Sequence, residues 1–129
     1  MQDFRRLHVW QKAHRLTLEA IAISATFSGP RWFCLRDQLT RAAISVPANL
    51  AEGCGRTGDR ELRRFVRLSL GSASELEYHL LLARDLGLLE EPAYGRLAEA
   101  TVEVKRMLTG LADRLTREIK AAAATGADS

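Results

Sequence analysis

Between Arg56 and Arg67 the chain sets five arginines, Arg56, Arg60, Arg63, Arg64 and Arg67, against only Asp59 and Glu61. The net +3 of this segment equals the formal excess of the whole chain. A guanidinium presents a planar fork that can donate two parallel hydrogen bonds and is weakly hydrated, so clustered arginines suit phosphate. Arg60, Arg63, Arg64 and Arg67 fall within about 100° of one another on a helical wheel. Two uses fit this pattern: a nucleic-acid-binding surface made of the five arginines, or a solvated face partly neutralised by Asp59 and Glu61.

Other residue types capable of chemistry lack the spacing that chemistry needs. His8, His14 and His79 stand outside any His-Glu-x-x-His pattern, which would put two ligands and a base on one helical face. Glu75 and Glu77 are followed three residues later by Tyr78 and Leu80, so the Glu-x-x-His repeat of a di-iron bundle is missing. Glu75 and His79 are one helical turn apart and can pair, an arrangement expected on a solvated helix surface. The glycines from Gly53 to Gly58 come without the lysine and strand of a phosphate loop. Ser45 and Ser69 have no neighbouring base in sequence. No catalytic residue, cofactor or metal is therefore expected. Cys34 and Cys54 would lie about 30 Å apart along one helix, too far to bridge, and are expected as small packing residues.

These side chains must be positioned by helices. Apolar or small residues recur at helical spacing in four segments, each ended by Gly or Pro. The first spans Phe4 to Phe27, with Asp3 as N-cap, an inner stripe of Leu7, Trp10, Ala13, Thr17, Ala20, Ile21 and Phe27, and Ser28-Gly29-Pro30 as its stop. The second begins near Phe33 and carries Leu35, Leu39, Ala42, Val46, Leu50 and Gly53. The third follows Asp59, its expected cap, and runs to Leu86 before Gly87, with Leu62, Val66, Ser69, Ala73, Leu76 and Leu80 inward. The fourth extends from about Pro92 to Ala122 on a stripe from Tyr94 to Ile119. The third segment is amphipathic only in its first half. Leu70, Tyr78, Leu81 and Leu82 add apolar surface opposite the stripe, and a helix apolar nearly all round must be covered twice. Tyr78, Leu81 and Leu82 are accordingly candidate oligomer-interface residues.

Within the second segment lies Arg41-Ala-Ala-Ile-Ser-Val-Pro-Ala-Asn-Leu-Ala-Glu-Gly53. Pro47 removes a backbone donor and crowds the carbonyl of Ala43, a cost of about 3 kcal/mol in a helix interior. The apolar spacing stays in phase across it, so a continuous, bent helix is expected. Asn49 is expected to bond a carbonyl released by Pro47 or a neighbouring helix, and Glu52 to pair with Arg56. Together with Asp3-Phe4-Arg5-Arg6-Leu7-His8-Val9-Trp10-Gln11-Lys12-Ala13 before it and Gly71-Ser72-Ala73-Ser74-Glu75-Leu76-Glu77 after it, this segment resembles the small four helix bundle proteins. That family comprises the proteins encoded by intervening sequences of 23S ribosomal RNA genes and the accessory variability determinants of diversity-generating retroelements. The resemblance spans roughly residues 3 to 118. It implies four helices per subunit, assembly into a five-fold ring, no known catalysis and, in the retroelement branch, binding to nucleic acid and to a reverse transcriptase. One departure falls at Arg31-Trp32, where the family has acidic residues; a positive charge there opposes the helix dipole at the start of the second helix.

The bulk properties agree. A chain of 129 residues, 47% apolar and 27% charged, is the size of one domain able to bury its own core. The pI of about 9.2 permits contact with an anionic polymer. No apolar run approaches the roughly 20 residues of a membrane span, so no membrane association and a cytoplasmic location are expected. The sequence thus predicts an all-α, up-down-up-down bundle over residues 1–129, ordered from about 3 to 122 and frayed at its C-terminus. The function expected is non-enzymatic: a ring-like homo-oligomer, pentameric by resemblance, that binds RNA, DNA or a reverse transcriptase through its basic surface. A ring of five would carry roughly 25 of these arginines and strengthen phosphate binding by multivalency. The alternative is a protein-interaction scaffold without nucleic-acid binding.

Overall fold

The computed structural model describes residues 3–126 and contains, among them, four α-helices and no strand. These are α1 (His8–Ser24), α2 (Phe33–Cys54), α3 (Asp59–Asp85) and α4 (Glu91–Ala124). Each helix packs on its neighbour in sequence and α4 returns against α1, while the diagonal pairs do not meet. Short connections of this kind give antiparallel neighbours, hence an up-down-up-down bundle. Leu16, Leu39, Leu50, Leu76, Leu80, Leu97, Leu108 and Leu115 fill the centre with almost no exposure; each contributes about 1.5–3 kcal/mol when fully buried.

Helix α1 is shorter at both ends than its sequence suggests. The Asp3 carboxylate accepts from the Arg5 N–H at 3.1 Å and caps a separate 3-10 turn, Phe4–Arg6, after which extended Leu7 breaks the chain direction. At the other end Phe27 is buried although it lies beyond the helix. Arg36 of α2 reaches back to donate to the carbonyls of Phe27 and Gly29, which fixes that corner. Gly29, with φ 97°, turns the chain into the 3-10 turn that follows, a conformation glycine adopts without a Cβ clash. Within α1, Val9 and Leu16 occupy inner positions, and Ile21, expected inside, is 38% exposed.

Helix α2 begins as expected, preceded by a 3-10 turn at Pro30–Trp32 in which Arg31 stacks 4.5 Å above the Trp32 ring. Asp59 is not the cap of α3. Gly58, with φ 89°, precedes the helix, and Asp59 and Glu61 lie inside its first turn, where their charge meets the positive end of the dipole. The other end closes on Gly87, φ 77°, with Leu88 N–H donating to Ala83 O and Gly87 N–H to Arg84 O at 2.9 Å each, a Schellman arrangement. Leu70, expected on the wet side of α3, packs against the core. Helix α4 exceeds its expected span by a residue or two at each end; the last residues of the tail, expected to fray, lie outside the described region.

Candidate nucleic-acid interface

The position of α3 is set by a polar crossing at Pro47. Proline cannot donate to Ala43 O, the acceptor one turn back, and Thr17 of α1 takes that role at 2.8 Å while remaining 2.9 Å from its own Ala13 O. From the opposite side Ser69 of α3 donates to Val46 O at 2.7 Å. Helix α2 therefore continues unbroken through Pro47, tied to both neighbours by buried hydroxyls. Asn49 does something different from what its sequence position suggests. Its amide donates to Ser45 O at 2.8 Å and to Ser45 Oγ at 2.9 Å, leaving the carbonyl freed by Pro47 to Thr17.

One turn further along, Gly53 lets α2 and α3 approach closely. A β-carbon at Gly53 would lie 2.7 Å from the Phe65 Cβ, so only glycine fits without displacement. Phe65 is buried below this contact, and its ring is flanked by Arg64 at 4.4 Å and Arg56 at 5.3 Å. The arginines of the sequence motif are thereby anchored at one end of the bundle.

Arg60, Arg63, Arg64 and Arg67 line a shallow groove of about 510 Å³ together with Glu61 and Leu68. Their states differ. Arg64 is ion-paired with Glu61 at 2.9 Å, and this hydrogen bond holds the Glu61 carboxyl below its ordinary range. Arg63 is half-buried and donates to Thr116 Oγ1 of α4 at 3.1 Å. Arg56 lies outside the groove lining and pairs with Glu52 at 3.0 Å, as expected for residues four apart. Arg60 and Arg67 are exposed and, among the described residues, have no hydrogen-bond or ion-pair partner. The Arg63–Thr116 contact also brings the last turns of α4 alongside, where Arg117 and Lys120 are exposed and outside every ion pair among the described residues. Those two cations were not singled out in the sequence, because the contact that brings this part of α4 to Arg63, through Thr116, depends on how α3 and α4 are aligned.

The C-terminal half of α3 has a different surface. Tyr78 is 57% exposed, Leu81 and Leu82 are half-buried, and neither leucine belongs to the core. Leu86, just past the helix end and absent from the expected interface, is exposed as well. Glu75 and His79 do pair, Nε2 to Oε2 at 3.0 Å, but the imidazole is only 12% exposed rather than solvated, and its Nδ1 is buried and has no hydrogen-bond partner among the described residues. Neither Ser45 nor Ser72 is within hydrogen-bonding distance of it. Cys54 is buried, which pushes its thiol up, whereas Cys34 is exposed and so is not the packing residue expected. Among the described residues no three His, Cys, Asp or Glu side chains gather as metal ligands, and no helix is long and apolar enough to cross a membrane.

The fold and this distribution of charge define an all-helical, four-helix bundle with a basic end. Residues 5–110 match the model of the 23S rRNA-intervening sequence protein family, and the chain belongs to that family. Among solved structures it is similar to a protein of unknown function from the S23 ribosomal protein family of Bacteroides thetaiotaomicron, with a TM-score of 0.76 over 81% of this chain and 97% of that one. At 18% identity this likeness concerns the fold alone. A search of curated proteins gives no match.

Proposed function

We propose that this protein is a non-enzymatic, cytoplasmic homo-oligomer, most simply a pentamer, that binds nucleic acid or a nucleic-acid enzyme such as a reverse transcriptase through its basic end. The observation that carries the reading is the groove lined by Arg60, Arg63, Arg64 and Arg67, where only one carboxylate, Glu61, answers four guanidinium groups. Arg60 and Arg67 retain all their donors for an external acceptor, and Arg117 and Lys120 extend the positive surface onto α4. Phosphate contacts of this kind position a polymer without reading its bases, so binding is weakly sequence-specific and salt-dependent. Assembly uses the other half of α3, around Tyr78, Leu81 and Leu82, where apolar surface is left outside the core.

The two parts are tested separately. Electrophoretic mobility shift with unrelated single- and double-stranded DNA and RNA should show binding in about 50 mM salt, where electrostatic association is strong. Absence of binding to all four leaves the protein-interaction scaffold as the reading. Sedimentation should show no stable monomer at micromolar concentration, and Leu81→Glu should shift the population toward one; a wild-type species of 14.3 kDa would rule out assembly.

A further inference from the structure

The motif around Pro47 and the Gly71–Glu77 motif meet in a place that the basic end does not use. Between α2 and α3, Gln38, Arg41, Ala42, Ser45, Ser72 and Glu75 line a second groove of about 260 Å³. Its floor is the contact of Ser45 Oγ with Ser72 Oγ at 2.8 Å. Two hydroxyls carry two protons; one lies between the oxygens, and Asn49 Nδ2 already donates to Ser45 Oγ. One hydroxyl proton of the pair is therefore left for a third partner.

The walls carry opposite charges. Arg41 on α2 has no hydrogen-bond or ion-pair partner among the described residues, and Glu75 on α3 is bonded to His79. Although both line the groove, they do not form an ion pair with each other. A guanidinium fork, a spare hydroxyl proton and the Gln38 amide offer donors on one side, and a carboxylate offers acceptors on the other. The lining sums to zero charge, which disfavours a phosphate or other simple anion next to Glu75 and suits a ligand carrying both signs.

We propose that this groove is a binding site for a small zwitterion of amino-acid size, its carboxylate on Arg41 and the serine pair and its ammonium on Glu75. The volume lies below the roughly 300–1,000 Å³ of drug-sized pockets, which matches a ligand of few heavy atoms. The site shares no residue with the arginine groove, so it stands or falls independently of nucleic-acid binding.

The experiment is a titration of the full-length, isotopically labelled protein with each of the twenty L-amino acids, followed by backbone amide NMR. Propionate, propylamine and inorganic phosphate serve as single-sign controls. At least one amino acid should produce saturable shifts at Gln38, Ser45 and Ser72 below about 10 mM, an affinity well within reach of so small a ligand. Arg41→Gln and Glu75→Gln should each weaken that binding at least tenfold while leaving distant amides unmoved. If Arg41→Gln disturbs the fold, Arg41→Lys, which keeps the charge but loses the fork, should show the same weakening. Failure of every amino acid to saturate, unchanged affinity in the folded variants, or equal binding of propionate or phosphate would overturn the assignment.

Discussion

At the Pro47 crossing and at the basic end of α3 the chain treats polar groups in opposite ways. Around Pro47 three side-chain donors are matched inward: Thr17 serves Ala43 O, Ser69 serves Val46 O, and Asn49 serves Ser45. In the arginine groove Arg60 and Arg67 have no partner among the described residues, and Arg64 shares the single carboxylate of Glu61. A buried acceptor left alone costs about 1–3 kcal/mol, whereas an exposed cation stays solvated at little cost. The first region is therefore bound by the requirements of folding. The second is not, and its surplus of one charge sign is available to a ligand.

The comparison breaks first, and by the largest amount, at Thr17. Thr17→Val should destabilise the fold by about 1–3 kcal/mol in urea unfolding, because Ala43 O loses the donor that replaces the missing proline N–H. In a Pro47→Ala background the restored N–H serves the same carbonyl, so the cost of Thr17→Val should fall by about half or more. Equal costs in both backgrounds would refute the coupling. Gly53→Ala comes next. A methyl 2.7 Å from Phe65 Cβ overpacks the α2–α3 contact by about 1–3 kcal/mol, offset by up to about 1 kcal/mol of helix propensity. A net gain in stability would show that α2 and α3 can separate there without loss.

On the other side of the comparison, substitutions should alter binding and leave folding nearly untouched. Glu61→Gln removes the one carboxylate of the groove and should tighten nucleic-acid binding by a few-fold at constant salt, measured by fluorescence anisotropy. The smallest effect concerns acid. The Glu61 carboxyl is held below its ordinary value of 4.5 by the Arg64 hydrogen bond, so the stabilisation from this pair is present above that value and disappears as pH falls through the depressed one. The Glu61 side chain is 40% exposed, so solvent screens the pair and unfolding midpoints should change little across this window; a steep loss of stability on Glu61→Gln would contradict a solvated role.

How much of this was legible in the sequence depended on whether the signal was local. The four helices, the continuity through Pro47, the Glu52–Arg56 pair and the Gly87 stop follow from spacing and residue type within a few positions. The Thr17–Ala43 bond joins residues on different helices, and nothing near Thr17 marks it as the donor. Ile21 stands one step past Ala20, at the edge of the inner stripe, and faces outward, whereas Leu16, three residues after Ala13, is a position that the same helical spacing allows inside. Five arginines could be counted, but their division into groove-lining, ion-paired and α4-bonded groups required the packing of α3. The second groove was hidden for the same reason, since Arg41 and Glu75 lie in separate motifs and meet only across two helices.

The most direct test of the central claim is a salt titration of anisotropy-detected binding to a labelled RNA of arbitrary sequence, comparing wild type with Arg60→Glu/Arg64→Glu. Neither residue is part of the core, so circular dichroism should show the double variant folded. For wild type, log affinity should fall linearly with log salt from a measurable value at about 50 mM, as counterions return to the phosphates. The double variant should lose binding and, where any remains, show a flatter slope. Salt-independent binding, or equal affinity and slope in the two proteins, would place the nucleic-acid contact elsewhere and contradict the account.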